Sequence, residues 1–416
     1  MLIYIPLVGI LLLIIGVIAN ALLNKNQATK FSPPIFLSLY IVYYLIVPFY
    51  TSSKDIYGVH SEMGLPYLFW GGFIFFSCFL IGFNLHIKKR FFRRANNLYS
   101  EQNSKRIALI LFAIAFLCYG IFKGFSLSVF RVQEYAQFNA MGSYNHVEEY
   151  LTGLISLFPT VVCLLYASKK SLVLNLVIGV IAVIIYLIGG FRFRLVLFVI
   201  PIVVFYHLYP HIKPIKYHIW IPVAILFYIL MGVIENTRNY GHGLDINKLK
   251  SMDRTDVTKA AHENEFMYYM SAKVMYEYED REKIYFEPLL TAICMPIPRT
   301  VFPWKPDGGY TRDANMVVFG TIEYGSAFFN YVEAYISFGW LGIILYGLFL
   351  GLFANIFWRN YLLHPNSIGA ILLLALFNAV LFVVFSRGYM AQALTTYMYY
   401  IPVSYWLSRL VKSKNE

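Results

Sequence analysis

The chain has 416 residues, of which 59% are hydrophobic, 19% aromatic and only 13% charged. Soluble globular domains carry about 25% charged residues, and apolar surface on this scale could not be hidden in the two or three cores a soluble chain of this length would form. The net charge of +12 is explained by membrane topology and contact with anionic lipid, which excludes reading it as a nucleic-acid footprint.

Crossing the hydrocarbon takes about 20 mostly apolar residues in a helix, and about eleven segments qualify, with a range of ten to twelve. Eight come first: Leu2 to Leu23, Pro34 to Tyr50, Leu65 to His86, Ile107 to Phe122, Leu151 to Ala167, Leu172 to Ile188, Leu195 to Leu208 and Tyr217 to Ile234. Three follow a long polar stretch: Tyr331 to Trp358, Ser367 to Phe385 and Ala393 to Leu410. The expected fold class is therefore an all-α polytopic integral membrane protein with one large extracytoplasmic loop. Residues 1–234 hold helices one to eight, 235–330 the loop with membrane-surface helices, and 331–416 the last three helices and a short cytoplasmic C-terminus.

The first span has no Lys or Arg before it, whereas Lys25 and Lys30 follow. That is the reverse of a signal peptide, so it reads as a retained span with its N-terminus outside. The positive-inside rule tests that orientation. With eleven spans, the inner segments carry 17 of the 34 Lys and Arg residues, the short outer segments 6 and the long loop 11. The Lys88 to Arg94 cluster supplies five of the 17 inner charges. The loop and the N-terminus are expected outside and the C-terminus in the cytoplasm.

Within the loop, residues from about Asn247 to Asp280 alternate at helical spacing, with Phe266, Tyr269, Met270 and Val274 on one side. This predicts one or two helices lying on the membrane face as a cover. Phe286 to Trp304 is more apolar but is broken by Pro288, Pro296, Pro298 and Pro303, so it is expected to dip towards the bilayer as an interfacial or re-entrant segment. The region 123–150 is the other outer stretch large enough to form structure. Cys78, Cys118, Cys163 and Cys294 show no close pairing, which predicts four unpaired packing cysteines.

Several charged residues sit where topology disfavours them. Arg192 and Arg194, in Gly189-Gly190-Phe191-Arg192-Phe193-Arg194, occupy an outer hairpin. Their guanidinium forks suit phosphate oxygens, although two arginines snorkelling to outer headgroups would give the same pattern. Arg299 and Lys305 lie in a chain stiffened by Pro298, Pro303 and Pro306, beside Trp304, and stiffness helps to position a charge. A Pro-rich surface turn is the plainer alternative. Asp307, Tyr310, Arg312 and Asp313 follow and offer groups for sugar hydroxyls.

Glu333, at the start of the ninth span, is the one carboxylate placed inside a span, and it reads either as a proton acceptor or as an arginine partner. Arg387, in Phe385-Ser386-Arg387-Gly388, closes the tenth span on the same side, either in the same charged cluster or snorkelling. There is no Asp-x-Asp, Walker-type loop, His-Glu-x-x-His or spaced His/Cys cluster, so no metal and no cofactor are expected.

Three stretches together resemble the repeat-unit polymerases of bacterial surface polysaccharides, the O-antigen or capsule (Wzy-type) family. They are Pro298-Arg299 with Trp304-Lys305-Pro306, Gly320 to Gly339 with Asn330-Tyr331-Val332-Glu333-Ala334-Tyr335, and Gly190-Phe191-Arg192. The layout of many spans with a large outer loop before the last few also matches. The resemblance implies glycosyl transfer at the outer face of the inner membrane. Its donor is a growing glycan on undecaprenyl diphosphate, its acceptor is a lipid-linked repeat unit, and a chain-length regulator is a possible further partner. It implies that Arg192 and Arg299 act in catalysis; the reading of the residues themselves adds Glu333 there, as a base or an arginine orienter, and places Arg194, Lys305, Tyr310, Arg312 and Arg387 in substrate binding. An O-antigen ligase, for which His262 leaves an opening, and a lipid-linked oligosaccharide flippase or transporter are the alternatives.

Overall fold

The computed structural model describes residues 3–24, 26–51, 63–86, 101–123, 151, 153–168, 172–188, 192–210, 229, 238–239, 243–244, 262–294, 297, 301–306, 308–320 and 327–410. The chain separates into two compact units. The first comprises 1–94, 263–363 and 380–397, and the second 95–262, 364–379 and 398–416.

In the first unit, α1 (Tyr4–Leu23), α2 (Pro33–Thr51), α3 (Leu65–Asn84) and α11 (Asn330–Leu363) are each long and apolar enough to cross a membrane. They agree with the first, second, third and ninth expected spans. α1 leaves Ile5, Val8, Leu12 and Ile15 exposed along one side, a stripe that needs lipid rather than water around it. α2 contains a π-helical turn, Val42–Ile46. Pro48 explains it: without an N–H it cannot serve the Tyr44 carbonyl four residues back, and the Val47 N–H bonds the Val42 carbonyl instead.

α3 and α11 pack closely because glycines face backbone. A Cβ at Gly351 would lie 2.1 Å from the Phe79 carbonyl oxygen, one at Gly347 2.7 Å from that of Phe75, and one at Gly82 2.3 Å from that of Leu348. The Gly347-x-x-x-Gly351 spacing puts both on one face, the small-residue route to tight packing between membrane helices. Aromatic rings fill the rest of the core: Phe75 stacks on Tyr331 at 5.6 Å and on Tyr346 at 5.8 Å, and Phe329 on Phe385 at 5.1 Å.

α11 bends at Phe338–Gly339. Gly339 has φ 62° and ψ −147°, a region open essentially to glycine alone. Residues 330–337 are buried without exception, whereas beyond the bend Leu341, Leu345, Phe349 and Phe353 form an exposed stripe at four-residue spacing. The 24 residues from Trp340 to Leu363 rise about 36 Å, enough by themselves for a hydrocarbon core of about 30 Å.

Among the described residues, three helices occupy the expected loop: α8 (His262–Glu277), α9 (Glu287–Cys294) and α10 (Tyr310–Phe319). α8 falls inside the stretch 247–280 expected to be helical, yet it is not a surface cover. Both its apolar side chains, such as Met267, Met270 and Val274, and its polar Asn264, Glu265 and Ser271 are buried. The reason is that distant segments supply partners: Asn264 Nδ2 donates to the Tyr43 carbonyl at 3.1 Å, Thr51 Oγ1 to Glu265 Oε1 at 3.2 Å, and the Phe329 N–H to Ser271 Oγ at 3.0 Å. A Cβ on Gly64 would lie 2.2 Å from the Ala272 carbonyl oxygen, so the chain before α3 also lies against this helix.

The second unit holds α4 (Glu101–Lys123), α5 (Phe158–Ala167, entered through a 3-10 turn Leu154–Leu157), α6 (Leu172–Ile188) and α7 (Arg192–Leu208). α4 is long enough to span; the other three agree with the fifth, sixth and seventh expected segments but are shorter apolar helices. α5 is their centre, buried at almost every position. Phe158 meets Phe112 at 5.6 Å and Tyr186 at 6.1 Å, and the Tyr186 hydroxyl donates to the Ile155 carbonyl at 2.6 Å. A two-residue antiparallel pair, Arg238–Asn239 with Gly243–Leu244, completes the described elements of this unit.

α12 (Ile368–Ser386) and α13 (Met390–Leu410) each contribute to both units. α12 is a spanning candidate buried along its entire length, and α13 carries Pro402. Among the described residues six helices are long and apolar enough to cross a membrane, which fits an all-α membrane protein. The eighth expected span, the region 123–150 and the Lys88 to Arg94 cluster lie outside the described residues, apart from Lys123 at the end of α4 and isolated positions. All four cysteines are unpaired thiols.

Candidate functional site

Glu333 lies in the first turn of α11 and is 0% exposed. A buried carboxylate must be matched by donors or it loses several kcal/mol of solvation. Three are supplied. Asn330, one turn earlier, donates from Nδ2 to Oε2 at 3.3 Å. The Met390 backbone N–H donates to Oε1 at 2.9 Å. The Tyr310 hydroxyl donates to the same oxygen. Met390 opens α13, so the carboxylate sits on a helix N-terminus, where unpaired N–H groups and the helix dipole favour negative charge.

The turn between α12 and α13 is fixed to the same place. The Gly388 N–H bonds the Phe328 carbonyl, and the Arg387 N–H bonds that of Val383 at 2.9 Å. A Cβ at position 388 would come within 2.3 Å of the Phe328 ring, so only glycine lets the turn lie this close to the start of α11. Tyr389 brings its ring to 6.2 Å from that of Tyr310. Three of the residues singled out in the sequence, Tyr310, Glu333 and Arg387, thus belong to one junction.

Tyr310 is buried, and its phenol donates to Glu333. Burial, and then the neighbouring Glu333 charge, push that phenol far above the usual tyrosine range, so it remains a proton donor. Among the described residues the partners of Glu333 are a phenol, an amide and a peptide N–H, with no ion pair to an arginine. Lys305 is buried, and its Nζ donates to the Ile297 carbonyl at 2.7 Å. This bond ties the lysine to a carbonyl eight residues earlier in the chain. Arg312 is exposed on α10.

Arg299 and Asp307 lie outside the described residues. Arg192 opens α7 in the second unit. Arg194, half-buried, holds its guanidinium 6.0 Å from the Phe193 ring. It also lies within electrostatic reach of Tyr119, Tyr186 and Tyr400. His262 is the first residue of α8.

Sequence reasoning did not assign Asn330 or the Met390 N–H to the site. Asn330 was detectable in principle, because residues three apart on a helix are neighbours; the Met390 contact bridges 57 positions. A second polar cluster also went unread. The Tyr67 hydroxyl donates to Glu279, Tyr67 stacks on Trp340 at 6.3 Å, and Lys283 Nζ lies 5.0 Å above the Tyr335 ring. Burial lowers the Lys283 pKa against the opposing pull of Glu279 and Asp280. Compared with known protein families, curated proteins and solved structures, the chain matches none.

Proposed function

We propose that the chain polymerises undecaprenyl-diphosphate-linked oligosaccharide repeat units into surface polysaccharide. The reaction is a metal-independent glycosyl transfer at the outer face of a bacterial inner membrane, with the N-terminus outside and the C-terminus in the cytoplasm. The observation that carries this reading is the Glu333 junction: a buried carboxylate at one end of a spanning helix ties the loop helix α10 and the Arg387 turn together. Polar groups held at such a level mark a working site more often than a packing accident.

In the proposed reaction an acceptor hydroxyl forms a bond to the anomeric carbon of the donor glycan as the bond from that carbon to the diphosphate oxygen breaks. The acceptor's proton leaves to a base, and undecaprenyl diphosphate departs with the bonding electrons. Charge developing on the leaving group is where preorganised cations contribute most. Arg192, Arg194, Arg299 and Arg387 are the groups assigned to it. Both oxygens of Glu333 are already engaged, so its part is to position the Arg387 turn and α10.

The test is the polysaccharide ladder of a strain lacking the chain. One repeat unit transferred to the final acceptor supports polymerisation. Full-length polymer left on the carrier would point to a ligase, and repeat units trapped on the inner leaflet to a flippase. If Arg192→Ala and Arg299→Ala both leave polymer length unchanged, the cationic clamp is wrong.

A further inference from the structure

We propose that α9, with Phe286 before it and Ile297, Val301 and Trp304 after it, forms an anchor lying in the headgroup region of the bilayer. Its apolar side chains would insert among lipids at the level of the α11 bend. The inference concerns attachment to the membrane and does not depend on the reaction assigned above.

The sequence of this segment is two-sided. Pro288, Thr291 and Ala292 of α9 are buried, while Phe286, Leu289, Leu290 and Ile293 are exposed. Past the helix the exposed set continues with Ile297, Val301 at 72% and Trp304 at 78% exposure. Exposed apolar side chains in this number are unfavourable in water, and the eight residues of α9 are far too few to cross a bilayer. An amphipathic helix with these properties lies in the plane of the interface.

The position of the strip is set by backbone, which identifies lipid as its occupant. The Ile284 N–H donates to the Ile336 carbonyl at 3.0 Å, and the Tyr285 N–H to the Ser337 carbonyl at 3.1 Å. Tyr285 takes up φ 47°, an unusual conformation for a residue with a side chain, and this turns the chain into α9. The Phe286 ring then lies 4.9 Å from that of Phe338. The segment is thus fastened to the two residues just before the bend, where α11 changes from burial on all sides to a lipid-type exposed stripe. That transition marks the edge of the hydrocarbon, and the segment begins there. Trp304, 5.3 Å from Phe302, supplies the kind of ring that concentrates at membrane interfaces.

The experiment uses the full chain in phosphatidylcholine and phosphatidylglycerol vesicles. The emission of Trp304 is isolated by difference from a Trp304→Phe variant. Bromines placed on the acyl chains near the headgroups should quench it at least about twofold more than bromines at the chain ends. A nitroxide on Ile293→Cys, in a background without the four native cysteines, should be more accessible to oxygen than to a water-soluble nickel complex. The same label on Arg312→Cys, an exposed site on α10, should show the reverse. Quenching of Trp304 by aqueous iodide but not by bromolipid would place the strip in water. Shielding from both quenchers would place it against protein. Either result overturns the proposal.

Discussion

Glu333 draws its donors from three places in the chain, and the weight each carries can be separated. Tyr310→Phe removes one donor from a buried carboxylate, for which a loss of about 1–3 kcal/mol is expected; thermal unfolding in detergent measures it. The two roles considered for Glu333 diverge under substitution. As a positioning residue, Glu333→Gln retains an acceptor for the Met390 N–H and should preserve most of the polymer length, whereas Glu333→Ala should shorten it. As a general base, both variants should lose activity by about 10²-fold or more, and the polysaccharide ladder distinguishes the cases. The sequence alone pointed to Glu333 because an ionisable group inside an apolar span demands a partner. It could not name the partners, since Tyr310 lies 23 positions before it and Met390 57 after it. The same holds for Lys305: the bond from its amine to a carbonyl eight positions earlier is not legible in a run of prolines around a cation.

At the level of elements, apolar runs located the helices well. The starts and ends of α1, α2 and α3 lie within a few residues of the positions expected from composition, because lipid exposure imposes a length and an unbroken hydrophobic run. α8 was legible as a helix but not as a buried one. Its Asn264, Glu265 and Ser271 look like a solvated face until α2 and the start of α11 are folded against them. The contact between α3 and α11 carries a sharp prediction. Gly351→Leu should drive a side chain into the Phe79 carbonyl and prevent the pair from closing, with loss of folded protein from the membrane fraction. Gly16→Leu, on α1 where nothing lies within 4 Å, should be tolerated. Gly339→Ala meets only the Lys283 side chain at 4.0 Å but an unfavourable φ, so a cost of about 1–3 kcal/mol from backbone strain is expected, again visible in thermal unfolding.

For the whole molecule, the proposed orientation makes a prediction independent of enzymology. A reporter active only in the cytoplasm, inserted after Arg94, should be active. One inserted at Gly308, in the loop assigned to the outside, should be inactive, and a reporter that folds only outside should show the opposite. The π-helical turn of α2 has a further consequence: it sets the phase of everything that follows in that helix. Two of its carbonyls have partners, that of Val42 in the Val47 N–H and that of Tyr43 in Asn264 of α8. Deleting one residue between Val42 and Ile46 would let α2 run regularly but rotate its last turns by about 100°. Phe49 would then leave its contact with Phe69, 5.2 Å away, and Thr51 its bond to Glu265. The deletion should therefore be far more damaging than Val42→Ala at the same place, because it shifts the angular register of an entire helix end where the substitution removes only two methyl groups.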